Sequence, residues 1–177
     1  MSVNRYSLAD YSVTFSFPSN IQVGDGFVTL KSFSIGGPGN ASQPGSFVGE
    51  IKVTRAKEMF TTEGDVTGSY VHSRNLDKTG TIEIQLRQVS SQILDLLKAC
   101  KTYETATGIK GVQGMTITIN APMGEYDVQR SSLIISKCTD CFPTKVPDQV
   151  FSDTAQMQTW TFTCGNVDFP MYSDSKL

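Results

Sequence analysis

The chain has 177 residues and a formal net charge of −2, the length of one domain able to bury a core. Charged residues make up only 18%, and no basic excess is present to bind nucleic acid by counterion release. No apolar run reaches the length of about 18 residues that crosses a membrane as a helix, and Met1 to Asp10 lacks the apolar centre of a signal peptide. Serine and threonine number 19 each, a composition that suits strands better than helices.

Tyr11 to Phe17 alternates with period two: Tyr11, Val13, Phe15 and Phe17 share one face, with Ser12, Thr14 and Ser16 on the other. This is a half-buried strand, ended by Pro18-Ser19-Asn20. Gly24-Asp25-Gly26 is a turn. Phe27 to Ile35 reads as one strand whose phase changes midway, which calls for a bulge or a change of environment. Gly36 to Ser46, GGPGNASQPGS, fits neither a helix nor a strand interior. Phe47 to Thr54 is a third strand with Phe47, Ile51 and Val53 inward.

Arg55 to Lys78 is polar and long for a connection, so it should hold strand at one or both ends. Thr79 to Val89 alternates most clearly, with Ile82, Ile84 and Leu86 set against Thr81, Glu83, Gln85 and Arg87. The period then switches. Ile93, Leu96, Leu97 and Cys100 form a helical stripe running to about Tyr103, with Ser90 or Ser91 as N-cap. Asp95 and the pair Lys98 and Lys101 suit the helix dipole. Gly114 to Asn120 is a strand with Met115, Ile117 and Ile119 on one side and Thr116 and Thr118 on the other. Val128 to Cys138 is strand-like, Cys141 to Asp153 reads as a Pro-rich loop, and Gln156 to Cys164 is a strong strand carrying Trp160, Phe162 and Cys164 on one face. The expected fold is mainly β: a β-sandwich or small barrel with one amphipathic α-helix as a lid.

Residues capable of chemistry are few. The only histidine, His72, adjoins Ser73, but adjacency in sequence is not triad geometry. Glu63 and Asp65, and Glu125 and Asp127, are spaced i, i+2, with nothing to place a partner carboxylate across a cleft. The turns at Gly24 to Gly26 and Gly36 to Gly39 lack the following helix of a phosphate cradle. Cys138-Thr-Asp-Cys141 is the one close cysteine pair. A zinc ribbon needs a second pair and a redox pair needs a helix start, so all four cysteines read as buried or loop thiols. No catalytic residue, metal site or cofactor is expected, and the chain reads as a non-enzyme.

Two segments resemble a family of phage structural proteins related to the tail tube proteins of contractile-tailed phages. Lys78 to Cys100, KTGTIEIQLRQVSSQILDLLKAC, is similar to the family's strand-then-helix unit, with Gly80-Thr81, Ile82, Ile84, Leu86 and Gln88 in the strand and Ser90-Ser91 at the helix start. Gln156 to Phe169, QMQTWTFTCGNVDF, resembles its closing strand, and Gly64, Asp65 and Thr67 match its lead-in loop. The resemblance implies a single tail-tube-like domain over 1–177, with long loops near 36–46 and 55–78. It implies a virion tail protein assembled in the bacterial host cytoplasm. Copies would form hexameric rings stacked into a tube, beside sheath, baseplate and terminator proteins, with DNA only as transiting cargo and no membrane insertion.

On that reading, Thr81, Glu83, Gln85, Arg87, Thr116 and Thr118 are candidates for a wetted face lining the lumen. Gly36, Pro38, Asn40, Gln43, Thr62, Asp65 and Tyr70 are candidates for loops joining one ring to the next. Two other readings stay open. One is a tail-associated carbohydrate-binding or adhesin sandwich using Tyr70, Tyr126 and Phe151. The other is a baseplate or tube-terminator component with the same fold.

Overall fold

Period-two alternation of apolar and small polar residues removes one face of each strand from water and leaves the other wet. The computed structural model describes residues 11–36, 48–88, 91–107, 113–121, 133–154 and 156–169. Along the chain these form β1 (Ser12–Ser16), β2 (Ile21–Val23), β3 (Gly26–Val28), β4 (Phe33–Gly36), β5 (Val48–Arg55), β6 (Phe60–Gly64), β7 (Tyr70–Arg74), β8 (Gly80–Arg87), α1 (Ser91–Thr105), β9 (Met115–Ala121), β10 (Leu133–Pro143) and β11 (Met157–Asp168). Seven strands make one antiparallel sheet in the order β4-β1-β9-β10-β11-β8-β5, while β2 with β3 and β6 with β7 are separate hairpins.

The sheet is rolled. Strands β1 and β11 lie three places apart, about 14 Å in a flat sheet. Yet the rings of Phe15 on β1 and Phe162 on β11 are centred 5.7 Å apart. The apolar faces therefore close on one another, with Val13, Ile35, Ile82, Ile84, Met115, Ile117 and Trp160 fully buried between them. Phe33 stacks on Phe15 with ring centres 5.0 Å apart.

Helix α1 closes this core with Ile93, Leu96 and Cys100, while Leu97 is half-buried against it. The expected stripe is thus the one the helix uses. Ser90 lies outside the described residues, as does the side chain of Ser91. The charges are not where the dipole would use them, since the first turn holds no acid and the last no base. Threonines serve the C-terminal end instead: Thr102 and Thr105 hydroxyls donate to the carbonyls of Lys98 and Lys101, both at 2.8 Å. The β2–β3 hairpin packs a second small core of Ile21 and Leu30 against Ala99, and Thr107 N–H donates to Gln22 O at 3.0 Å.

Several expectations change. Phe27 to Ile35 is not one strand; it splits into β3 and β4, which belong to different sheets, and this accounts for the phase change. Phe47 and residues 122–132 lie outside the described residues. Cys141 to Pro143, expected as loop, continues β10, with Pro143 as its last residue, where a missing N–H is tolerated. The continuation depends on Asp140, whose φ is +55°. Pairing with β9 shifts register between Cys138 and Cys141, so an extra residue is inserted there and Cys141 returns to the core face. The Asp140 carboxylate accepts the Gly114 N–H at 2.9 Å, which fixes the bulge to the start of β9.

Gly80 opens β8 where β5 and β11 crowd it. A Cβ there would collide with the Thr54 carbonyl oxygen and lie 2.8 Å from Val167 Cγ2. Gly80→Ala should therefore lower stability by about 1–3 kcal/mol. Gly64→Ala, whose Cβ would meet nothing nearer than 3.7 Å, should stay within about 0.5 kcal/mol. Guanidinium unfolding curves of the two variants check both.

Candidate functional site

The polar residues singled out on β8 and β9 fall on one surface, the face of the rolled sheet opposite the core. Thr81 lies between Thr54 and Thr163, Glu83 between Lys52 and Thr161, and Gln85 opposite Thr159. Thr118 lies between Thr14 and Lys137, and Thr116 opposite Ser16. Arg87 ends β8, opposite Met157. Directly opposed residues of antiparallel strands share a face, so β8 and β9 contribute to the same wall although β10 and β11 separate them. The wall is rich in hydroxyls: Thr14 and Ser34 hydroxyls are 3.0 Å apart, and Asn120 Nδ2 donates to Thr14 Oγ1 at 3.4 Å. Some of its charges come as opposed pairs, Lys52 with Glu83 and Lys137 with Asp168.

The second feature is the β6–β7 hairpin. It supplies Thr62, Asp65 and Tyr70, and every residue of both strands is exposed. The two strands pair only with each other. Asp65 organises the tip: its carboxylate accepts from Thr67 N–H at 2.8 Å, Thr67 Oγ1 at 2.6 Å and Ser69 N–H at 3.1 Å. These bonds, led by the Thr67 hydroxyl, lower its pKa. Gly68 adopts the left-handed φ of +86° that the turn needs. Thr62 Oγ1 lies 2.8 Å from His72 Nδ1 across the pair, and the Tyr70 and His72 rings are centred 5.1 Å apart.

The hairpin also carries apolar groups, of which Met59, Phe60, Tyr70 and Val71 stand out in the sequence of the 55–78 stretch. Met59, Phe60, Val66, Val71 and Leu76 are exposed beside Tyr70. The signal was present: two short runs rich in aromatic and β-branched residues flank Asp65-Val-Thr-Gly68, which is hairpin patterning. Of the other loop candidates, Gly36 closes β4, while Pro38, Asn40 and Gln43 lie outside the described residues. Phe151 is exposed on the segment after β10, on a different element from Tyr70, and Tyr126 lies outside the described residues.

No catalytic constellation emerges among the described residues. His72 and Ser73 are strand neighbours and point to opposite faces. The Asp65 carboxylate is used by its own turn, and Glu125 and Asp127 are not among the described residues. A cleft between α1 and the end of β10 is lined by Cys100, Tyr103, Glu104, Phe142, Pro143 and Lys145. Its cysteine and tyrosine are pushed up by burial, Cys100 to about 11 and Tyr103 further, so neither ionises near neutrality. Among the described residues no cluster of histidine, cysteine or carboxylate fits a metal ion.

The geometry is that of a rolled sheet with a hydroxyl-lined outer face and a projecting hairpin. A family model described as "Bacteriophage PhiTE tail tube protein" matches residues 26–171. The chain belongs to that phage tail tube family, a family of non-catalytic structural proteins of the virion tail. No curated protein matches the chain.

Among solved structures, it is similar to a sheath/tube terminator of the PVC extracellular contractile injection system (14% identity, 95% of this chain and 98% of that one, TM-score 0.49). It is also similar to the tube-terminating cap of the anti-feeding prophage (13%, 95% and 93%, 0.47) and to a chain of the PVC sheath–tube complex (13%, 93% and 90%, 0.43). All three scores lie below 0.5, and the family assignment rests on the family match.

The hairpin is anchored at its base. Asp77 accepts from Thr79 N–H at 3.0 Å and Thr79 Oγ1 at 2.7 Å, and Lys57 Nζ lies 3.0 Å from its other oxygen. The Thr79 amide first, then its hydroxyl and Lys57, hold the Asp77 pKa down at about 2, below the ordinary 3.8. A depressed carboxylate stabilises the fold in full above its unfolded pKa, and this contribution is lost as pH falls through the folded one. Carboxyl-carbon NMR should give a midpoint near 2 for Asp77, and Asp77→Asn should remove that part of the acid dependence between 3.8 and 2. A midpoint near 3.8 would show that the anchor does not hold in solution.

Proposed function

We propose that this chain is a self-associating subunit of the phage tail tube. Its copies close into rings of six that stack into a hollow tube, through which DNA leaves the particle. The single observation that carries this reading is the β6–β7 hairpin. An isolated two-stranded hairpin is marginal in water, and this one exposes Phe60, Tyr70 and Val71 at 54%, 67% and 65%. Exposed apolar surface of this kind marks a contact with another molecule, and an arm laid on the neighbouring ring would bury it. Residues 1–177 act as one unit in this scheme.

The hydroxyl-lined sheet face suits the lumen. Threonines and opposed charge pairs present no basic track, so a DNA polyanion would slide along it without the counterion release that drives binding. Sheath, baseplate and terminator proteins are the further partners, and assembly takes place in the host cytoplasm. A terminal ring, such as a tube terminator or baseplate component, would use the same surfaces on one side only.

Negative-stain microscopy and sedimentation of the purified protein test the proposal. Long tubes with a central channel support the tube body. Single rings that never stack favour the terminal ring, and a strict monomer at high concentration overturns both. Replacing Tyr70 and Val71 together by serine should abolish or shorten tubes. Because both side chains are exposed, the unfolding midpoint should move by no more than about 0.5 kcal/mol equivalent. Unchanged tubes in that variant would exclude the hairpin as the stacking arm.

A further inference from the structure

Three of the four cysteines meet inside the core. Cys138 and Cys141 are three residues apart on β10, a spacing that puts side chains on opposite faces of a regular strand. The bulge at Asp140 cancels that difference and turns both thiols inward. Cys164 on β11 lies directly opposite Cys141 in register. The two sulfurs are 2.7 Å apart, and both side chains are buried, at 0% and 1% exposure. Directly opposed residues on antiparallel strands have Cα atoms about 4.5–5.5 Å apart, inside the window of about 4.4–6.8 Å that a disulfide spans.

We infer that Cys141 and Cys164 form a latent cross-strand disulfide, with Cys138 as a third thiol able to exchange into it. The thiols respond unequally. Hydrogen bonds from Cys141 and Cys164 hold the Cys138 pKa below the usual thiol range. Hydrogen bonding with Cys138, together with burial, pushes Cys141 and Cys164 up.

With a peroxide as oxidant the chemistry balances. One thiolate attacks the peroxide oxygen, giving a sulfenic acid and, after protonation, one water. A neighbouring thiol then displaces the second water and closes the S–S bond. Two thiols lose two protons and two electrons, and the peroxide leaves as two waters. Exchange within the trio settles on Cys141–Cys164 because the register holds that pair face to face. A reducing compartment keeps the bond open, and the oxidising medium around a released particle closes it. The bond would cross-link β10 to β11 at the middle of the sheet. The inference does not depend on which tail component the chain is.

The test uses the full chain, reduced or exposed to hydrogen peroxide, then unfolded in denaturant with iodoacetamide and weighed intact. The reduced protein should take four labels. The oxidised protein should take two, be lighter by two hydrogens before labelling, and unfold at a higher denaturant midpoint. The Cys138→Ala variant should still lose two labels on oxidation, and Cys164→Ala should not form the Cys141 linkage in peptide maps. Four labels after oxidation, a sulfinic product without a cross-link, or a bond that disappears in Cys138→Ala would each overturn the inference.

Discussion

The roll of the sheet, seen in the contact between Phe15 on β1 and Phe162 on β11, is the constraint on which the rest of the molecule depends. A flat seven-stranded sheet with an apolar face would need a second layer of comparable area. Among the described residues one fifteen-residue helix is available for the purpose. Rolling lets the apolar face cover most of itself, and α1 closes what remains with Ile93, Leu96 and Cys100. A rolled sheet that is not closed keeps two edges. In the described sheet these are β4 and β5, each paired on one side only. Unpaired strand edges invite pairing with another chain, and a ring of copies is an arrangement that covers them.

The roll needs a place to bend, and the bulge on β10 is one such place. Bulges increase local twist and bend the strand that carries them. Asp140 is an uncommon residue for a left-handed φ, but aspartate is among the few side chains that tolerate it. Here its carboxylate is also used, accepting the Gly114 N–H at the mouth of β9. One residue therefore bends the sheet, pins the neighbouring strand and brings Cys138 and Cys141 to the same side. Arg55 adds a clasp on the other flank: its Nε and Nη2 donate to the Val167 carbonyl at 3.0 and 2.8 Å, and its guanidinium lies 5.2 Å from the Phe169 ring centre.

The sequence revealed elements in proportion to how far local pattern decides them. Strands β1, β8 and β11 and the stripe of α1 are legible because one side is buried and the other wet, so the period is written in residue type. Strand β10 is only half legible. Its bulge breaks the alternation at Thr139 and Asp140, and Pro143 and Pro147 suggest a loop although the strand runs through Pro143. The split of Phe27 to Ile35 left its mark as a phase change, but a sequence cannot say that the two halves enter different sheets. The β6–β7 hairpin is half legible for another reason: strand is expected within 55–78, but both faces of the hairpin are exposed, so no buried face imposes a period-two alternation that would fix its bounds. The polar wall was legible strand by strand. That β8 and β9 share it depends on the strand order, which is long-range information.

On the tube reading proposed above, the wall and the hairpin would divide two conflicting demands. A surface that holds copies together must lose free energy when it leaves water, which favours aromatic and aliphatic side chains. A surface past which a polyanion moves must gain little on contact, which favours hydroxyls and locally compensated charge. On one face these demands would compete at every position. This chain separates them. The sheet's outer face carries mainly threonine, glutamine and opposed charges such as Lys52 across from Glu83, while Met59, Phe60, Val66, Tyr70, Val71 and Leu76 expose apolar surface on or beside the arm. The arm is short, and its tip is held by Asp65 and Thr67 on either side of the exposed Val66. Those features limit non-specific pairing before a partner arrives. The low charge content of the chain is then a consequence of geometry: neither the core, the wall nor the arm has a use for many unpaired charges.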